Sequence, residues 1–224
     1  LPSKWSGKTW ALKQGVDEVL KNDSTDYVML VDSDINLDSD LIIKLAKTMD
    51  KKKFSMISLM AQLRCKNKVE KLFIPTFIFF FQKLFPFNRV NDPKNKLAAA
   101  AGGCMICRTN IFKKINVFEK IKNKIIDDCN LAKIFKKEGP IWLGLSRKVE
   151  SNRKYLNLFS IWNMISRCAF EQLNNSIILL CVSVLGLVLI YLFPLFAIFI
   201  SIYETNYANN VMFMFVKVTC YRHS

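Results

Sequence analysis

The chain has 224 residues, 51% of them apolar, and 33 Lys+Arg against 18 Asp+Glu give a formal net charge of +15. Its length suits one domain plus extras. Charge dominates up to about Arg153, whereas no charged residue occurs from Ile177 to Tyr203. Nucleic acid is therefore set aside as the reason for the basic balance, because the basic residues are scattered and a bilayer-length apolar run accompanies them. A Cys-based metal site is set aside too. The chain has seven Cys and one His, and Cys104-Met105-Ile106-Cys107 has no partner pair, so free, reduced, mostly buried thiols of a cytosolic domain are expected.

Leu1 to Lys8 reads as a loop, followed by a helix from about Thr9 to Leu20 with apolar residues at 12, 16 and 20. A polar turn over Asn22 to Asp26 leads into a strand, Tyr27-Val28-Met29-Leu30-Val31, which closes in Asp32-Ser33-Asp34. Two carboxylates at i and i+2 after a buried strand can point toward one oxygen-rich ligand, and a Mg²⁺-type cation holding a diphosphate is the natural guest. An ordinary Asp-rich turn is the competing reading. A helix starts after Leu37-Asp38-Ser39-Asp40, with its apolar stripe at 41, 42, 45 and 49, and a strand follows over Phe54 to Leu59. Alternating helices and strands predict an α/β topology. The strand expected ahead of the first helix is not in this sequence, so the domain over 1–155 is expected to lack its opening strand.

The segment 69–87, crowded with Phe and interrupted by Pro75 and Pro86, breaks the pattern. It is expected to lie against the bilayer as an interfacial segment with Lys71 and Lys83 reaching toward headgroups; a core helix is the alternative. Ala98 to Gly103 precedes a strand over Cys104 to Cys107. Small residues there allow close backbone approach by a ligand, or simply a tight packing turn. Asp127-Asp128 opens a helix with Leu131, Ala132 and Phe135 inward, a placement the helix dipole favours in any protein. Gly139-Pro140 then turns the chain into a strand at Ile141-Trp142-Leu143.

Residues 156–175 read as an amphipathic juxtamembrane linker and 176–203 as a transmembrane segment, since a spanning helix needs about 20 apolar residues. Pro194 would kink the span, or break it near Phe193-Pro194 and leave a second short membrane segment. The run lies too far along the chain for a signal peptide. The dense Lys/Arg before it places that side in the cytoplasm and attracts anionic lipid. Residues 204–224 carry no readable signal.

The motifs in their order carry a resemblance. They are Gly7-Lys8 followed by Ala11-Leu12, Asp32-Ser33-Asp34, Gly102-Gly103-Cys104-Met105, and Asp127-Asp128-Cys129-Asn130-Leu131. With these, the chain resembles the family 2 glycosyltransferases. The segments SLMAQLRCKNKVEKL, FIFFFQKLFPFNRVNDP, AAAAGGCMI and IIDDCNLA make it most similar to the hopene-associated, ceramide-glucosyltransferase-like branch. The resemblance implies a GT-A type domain with a Rossmann-like, mostly parallel sheet, followed by one or more transmembrane helices. It implies that Asp32 and Asp34 coordinate Mg²⁺ or Mn²⁺ on the diphosphate of a nucleotide-sugar donor. Asp128 matches the catalytic base of inverting members, with Asp127 as a supporting carboxylate. Gly7 and Lys8 match the donor-side nucleotide segment, and Gly102 and Gly103 the loop facing the acceptor or the donor sugar. Met164-Ile165-Ser166-Arg167-Cys168 is the nearest match to the family's (Q/R)xxRW motif, with Arg167 in the arginine's place.

The implied reaction is metal-assisted, inverting transfer of a sugar to a membrane lipid, hopanoid- or sphingolipid-like, by an integral membrane protein. Two alternatives stand beside it: an inactive, non-enzymatic membrane fragment of such a transferase, and a nucleotidyl- or phosphotransferase using the same metal–diphosphate logic.

Overall fold

The apolar runs that read as strands do form strands, and the helices between them pack on both faces of one sheet. The computed structural model describes residues 1–21, 24–122, 127–173 and 176–203, without the side chains of residues 127 and 167–172. The chain divides into two compact units, Leu1–Cys168 and Ala169–Ser224. In the first, α1 (Gly7–Leu20) leads to β1 (Tyr27–Val31), β2 (Ile35–Leu37), α2 (Leu41–Lys52) and β3 (Met56–Gln62). Then come α3 (Lys68–Leu84), α4 (Phe87–Asn91), β4 (Cys104–Arg108), α5 (Thr109–Lys114), α6 (Val117–Ile121), α7 (Asp127–Glu138) and β5 (Ile141–Ser151). The last helix that begins in this unit is α8 (Leu158–Gln172).

The sheet corrects the expected mostly parallel, Rossmann-like arrangement. Its order is β1-β4-β3-β5-β2, and only β3 and β5 pair in parallel. β1 with β4, β3 with β4 and β2 with β5 are all antiparallel. The physical reason is where β4 goes. β1, β3 and β5 run in one direction, as helix–strand alternation predicts. β4 fits between β1 and β3 in the opposite sense, pairing Val31 with Cys104 on one side and Met56 with Cys107 on the other. Helix–strand alternation sets the direction of successive strands and leaves open which strand occupies the slot between them.

Side chains alternate across the strands, and both faces are covered. On one face Val28, Leu30, Met105 and Cys107 meet Val16 of α1 and Leu131, Ala132 and Phe135 of α7. On the other, Ile57, Leu59, Cys104 and Ile106 meet Leu41, Leu45 and Met49 of α2. Burying each of the Val, Leu, Ile, Met and Phe side chains among them contributes roughly 1.5–3 kcal/mol. Cys104 and Cys107 are free and buried, and they sit three residues apart on a strand, so they point to opposite faces and cannot chelate together. Burial pushes the Cys104 thiol up to about 11 and the Cys107 thiol higher still, so both stay protonated.

A third apolar cluster lies outside the sheet. Ile74 of α3 packs with Tyr155 and with Ile161 of α8. Its polar fastening is Glu70, which is fully buried. Oε1 accepts from Arg64 Nη1 at 2.8 Å and from the Tyr155 amide at 3.0 Å. Oε2 accepts from the amides of Lys66 at 2.8 Å and Asn67 at 3.1 Å. Asn67 closes a capping box at the start of α3 and donates its side-chain amide to the Tyr155 carbonyl at 2.9 Å. Burial alone would raise the Glu70 pKa, but the three amides and Arg64 outweigh it and hold the group down at about 2.

In the second unit one helix of 27 residues runs from Ile177 to Tyr203 without a break; its most apolar stretch of 18 residues has a mean hydropathy of 2.8 and none of it is buried. Its first stretch, α9 (Ile177–Leu187), passes into a π-helical turn over Val188–Leu192. That wide turn comes directly before Pro194, whose ring lacks an amide hydrogen and crowds the carbonyl four residues back. The helix therefore absorbs the proline instead of stopping at it. By length and composition it is the one helix among the described residues that suits a membrane crossing.

The Glu70 clasp makes stability depend on pH. Its folded pKa of about 2 lies below the value of about 4.3 for an unfolded chain. Its contribution is therefore complete above that unfolded value and is lost as pH falls through the folded one. Glu70→Gln puts an NH₂ group among amide donors, and is expected to lower Tm at pH 7 by roughly 5 °C. It should also flatten the acid limb of the stability curve, read by circular dichroism between neutral pH and strong acid. An acid limb identical to that of the parent would remove Glu70 from that role.

Candidate active site

The site begins where β1 ends. Val31 is the last paired residue of the strand, and the chain then turns through Asp32, Ser33 and Asp34, with the Ile35 amide donating to the Asp32 carbonyl at 3.1 Å. The Asp32 amide donates to the carbonyl of Gly103 at 3.1 Å, which ties the turn to the start of β4. Gly103 is small because Ile35 lies across it: a Cβ there would stand 3.2 Å from Ile35 Cδ1. Gly102 is small because of Asp128. A Cβ on Gly102 would stand 3.0 Å from Asp128 Oδ2. Neither glycine has a positive φ, so space and not backbone conformation requires them. Asp32 and Asp128, 96 residues apart in sequence (128 − 32), thus flank a single Gly-Gly dipeptide.

Ala98, Ala99 and Ala100 are buried in the sheet's larger core, so these small residues serve packing. The loop is fixed by Ser58 of β3, whose Oγ donates to the Ala101 carbonyl at 2.9 Å and accepts from the Ala101 amide at 2.8 Å. The packing reading of the Ala-Gly segment therefore holds for the alanines, and at Gly102 and Gly103 the space is taken by the Asp128 and Ile35 side chains.

Lys8, in the first turn of α1, places Nζ 3.2 Å from Asp32 Oδ1. Both side chains are well exposed, and such a pair is worth only about 0–1 kcal/mol to the fold. What it does is set a cation beside the carboxylate at the helix N-terminus. Ser6 caps that helix by accepting from the Thr9 amide at 3.1 Å, and its own amide donates to the Lys122 carbonyl at 3.0 Å. A Cβ on Gly7 would meet nothing within 4 Å, so no close approach calls for glycine there.

Asp34 faces a different neighbour. Ser151, the last residue of β5, donates its hydroxyl to Asp34 Oδ2 at 2.7 Å, and the Asn152 amide donates to the Asp34 carbonyl at 2.8 Å. Ser151 is nearly buried. Sequence reasoning missed it, because a lone serine near the end of a strand carries no signal until β2 pairs with β5 and sets Ile35 opposite it.

Asp128 lies in the first turn of α7 and accepts the Cys129 amide on Oδ1 at 2.7 Å. Asp127 begins the same helix and Arg167 belongs to α8, but both side chains lie outside the described residues. Lys8, Asp32, Gly102, Gly103 and Asp128 are thus joined through direct contacts, with Asp34 two residues along the turn from Asp32. Among the described residues no three His, Cys, Asp or Glu gather as a ready-made metal cage. Asp32 and Asp34 supply carboxylate oxygens alone. That donor set fits a hard divalent cation whose remaining ligands come from phosphate and water.

Comparison with known proteins follows from this geometry. The solved structures that resemble the chain include mannosyl-3-phosphoglycerate synthase from Rubrobacter xylanophilus, 16% identical with a TM-score of 0.37, over 74% of this chain and 49% of that one. They also include glucosyl-3-phosphoglycerate synthase from Mycobacterium tuberculosis in complex with phosphoglyceric acid, 14% identical with a TM-score of 0.36, over 75% of this chain and 57% of that one. The chain thus spans about half the length of these structures. No curated protein matches it. The model of glycosyl transferase family 21 matches residues 17–224, where the motifs had been read against family 2. That match takes in every motif from Asp32 onward, and the chain belongs to glycosyl transferase family 21 and so to the GT-A type glycosyltransferases.

Proposed function

We propose that this protein transfers a sugar from a nucleotide-diphosphate donor to a hydroxyl of a membrane lipid, hopanoid- or sphingolipid-like, by one inverting displacement. The observation that carries the reading is the Gly102-Gly103 dipeptide, with the amide of Asp32 bonded on one side and Asp128 Oδ2 against it on the other. A donor diphosphate held at the Asp32 turn has its sugar beside this dipeptide and Asp128 within reach of the acceptor.

Asp32 and Asp34 would hold Mg²⁺ or Mn²⁺, which when bound stabilises the negative charge growing on the departing diphosphate. Ser151 keeps Asp34 turned by its hydroxyl bond. Lys8 and the first amides of α1 add positive potential at the same corner, favourable to phosphate. Asp128 takes the proton from the acceptor hydroxyl as that oxygen forms its bond to the anomeric carbon and the carbon–diphosphate bond breaks. Asp127 supports that carboxylate, and Arg167 offers a bidentate contact to the pyrophosphate. No side-chain nucleophile is required. The helix Ile177–Tyr203 crosses the membrane, with the catalytic unit on the cytoplasmic side, and supplies the reason for a lipid acceptor.

Three outcomes test this in the full-length protein. Asp128→Asn keeps the shape but cannot take a proton, so transfer is expected to fall by about 10²–10⁴-fold while calorimetric donor binding stays. Normal transfer by that variant with a dead Asp127→Asn would reassign the base. Gly102→Ala drives a methyl into Asp128 Oδ2 and is expected to cost roughly 10-fold or more in kcat with little change in Tm, since moving a catalytic group by a fraction of an ångström is enough. Ser151→Ala should raise the Mn²⁺ concentration giving half-maximal transfer several-fold, with Ser151→Thr restoring it; an unchanged metal dependence would detach Ser151 from the metal site.

A further inference from the structure

β3 is buried from Met56 to Ala61, and the one polar residue in that run is Ser58, itself fully buried. A hydroxyl in such a place costs free energy unless it is bonded, and Ala would fill the site without that demand. Two bonds tie the hydroxyl to one residue: Oγ donates to the Ala101 carbonyl at 2.9 Å and accepts from the Ala101 amide at 2.8 Å. Ser58 is also the last residue of β3 that pairs with β4, opposite Met105. Its side chain thus takes over where the ladder stops, and holds the backbone one residue ahead of Gly102.

The residues on either side of Ala101 are held from other directions. The Ala100 carbonyl accepts from Cys129 Sγ of α7 at 3.5 Å, Asp128 Oδ2 occupies the space beside Gly102, and the Gly103 carbonyl accepts from the Asp32 amide. The run 100–103 therefore reaches from the helix that carries Asp128 to the turn that carries Asp32 and Asp34. Ser58 ties this run to the middle strand of the sheet. Loss of that tie frees Ala101 to shift against α7, and the gap between Asp128 and the Asp32 turn shifts with it.

We propose that Ser58 is a positioning residue for sugar transfer: it fixes Ala101 and so sets the gap between Asp128 and the turn that holds the donor diphosphate. This rests on reading Asp128 as the group that takes the acceptor proton. Being fully buried, Ser58 acts through Ala101 and Gly102 and not by contact with substrate. The chain supplies a matched control in Ser55, just ahead of β3 and also buried. Its Oγ lies 3.0, 3.2 and 3.1 Å from the carbonyls of Phe135, Gly139 and Pro140, at the end of α7 away from Asp128. Both hydroxyls bond to backbone, and that of Ser58 does so beside Asp128.

The test uses the full chain in phosphatidylcholine vesicles containing ceramide or a hopane polyol, with Mn²⁺ and radiolabelled UDP-glucose, UDP-N-acetylglucosamine or GDP-mannose. Ser55→Ala and Ser58→Ala are each expected to lower Tm by roughly 5 °C. Only Ser58→Ala is expected to lower kcat, by about 10-fold or more, with the donor KM little changed. In an Asp128→Asn background it should lower kcat no further. Ser58→Cys keeps the volume with a weaker donor, and stands in if Ser58→Ala does not fold. A second readout needs no substrate: alkylation of Cys129 by N-ethylmaleimide, resolved by peptide mass spectrometry. It should be several-fold faster in Ser58→Ala, with Cys104 and Cys107 still protected and Ser55→Ala like the parent. Equal kcat losses in the two alanine variants, or a further loss in the Asp128→Asn background, would reduce Ser58 to a stability role and overturn the proposal. So would a Cys129 rate unchanged in both Ser58 variants. No transfer by the parent from any donor would refute the proposed reaction instead, and faster Cys129 alkylation confined to the Ser58 variants would leave the positioning role standing.

Discussion

The hydrogen bond from the Asp32 amide to the Gly103 carbonyl joins the two halves of the site. It extends the β1–β4 ladder one step past Val31 and Cys104, so the carboxylate turn is carried at the end of a paired, buried strand. From Gly103 the chain reaches Gly102, and the missing side chain there leaves room for Asp128. Were β4 not seated between β1 and β3, the Asp32 amide would not meet the Gly103 carbonyl, and Asp32 and Asp128 would not flank one dipeptide. The antiparallel strand that departs from a Rossmann-like sheet is thus the element that assembles the site.

A second line of bonds runs from the other carboxylate toward α3. Asp34 is held by Ser151 and Asn152, and three residues after Asn152 the amide of Tyr155 is held by Glu70. The short segment between them is tethered at both ends. At one end the partner is the turn that carries Asp32 and Asp34; at the other it is Glu70, the buried member of the capping box of the Phe-rich helix. A buried carboxylate is costly unless it is fully bonded, and Glu70 meets that condition with three backbone amides and one guanidinium. A hydrophobic residue could stabilise the same spot. It could not hold the Tyr155 amide, and so could not fix where the strand end meets α3.

The local pattern of the chain determined a good deal. The apolar runs at Tyr27–Val31 and Cys104–Cys107, the 3.6-residue stripe that buries Leu41, Leu45 and Met49, and the inward Leu131, Ala132 and Phe135 all follow from short-range periodicity. The bilayer-length run 177–203 needed only length and the absence of charge. The ordered motifs pointed to the glycosyltransferases, because an Asp-Ser-Asp turn after a strand, a Gly-Gly pair and an acidic helix start are each local in sequence. Tertiary structure alone decided the rest, since each remaining feature depends on residues far apart in the chain. Periodicity cannot say that β4 enters between β1 and β3, because strand order depends on long-range pairing and not on the pattern within a strand. It cannot show why Gly102 must be glycine, since the group that excludes a side chain belongs to Asp128. Nor can it find Ser151, whose partner is 117 residues away, or the clasp between Glu70 and Tyr155, 85 residues apart.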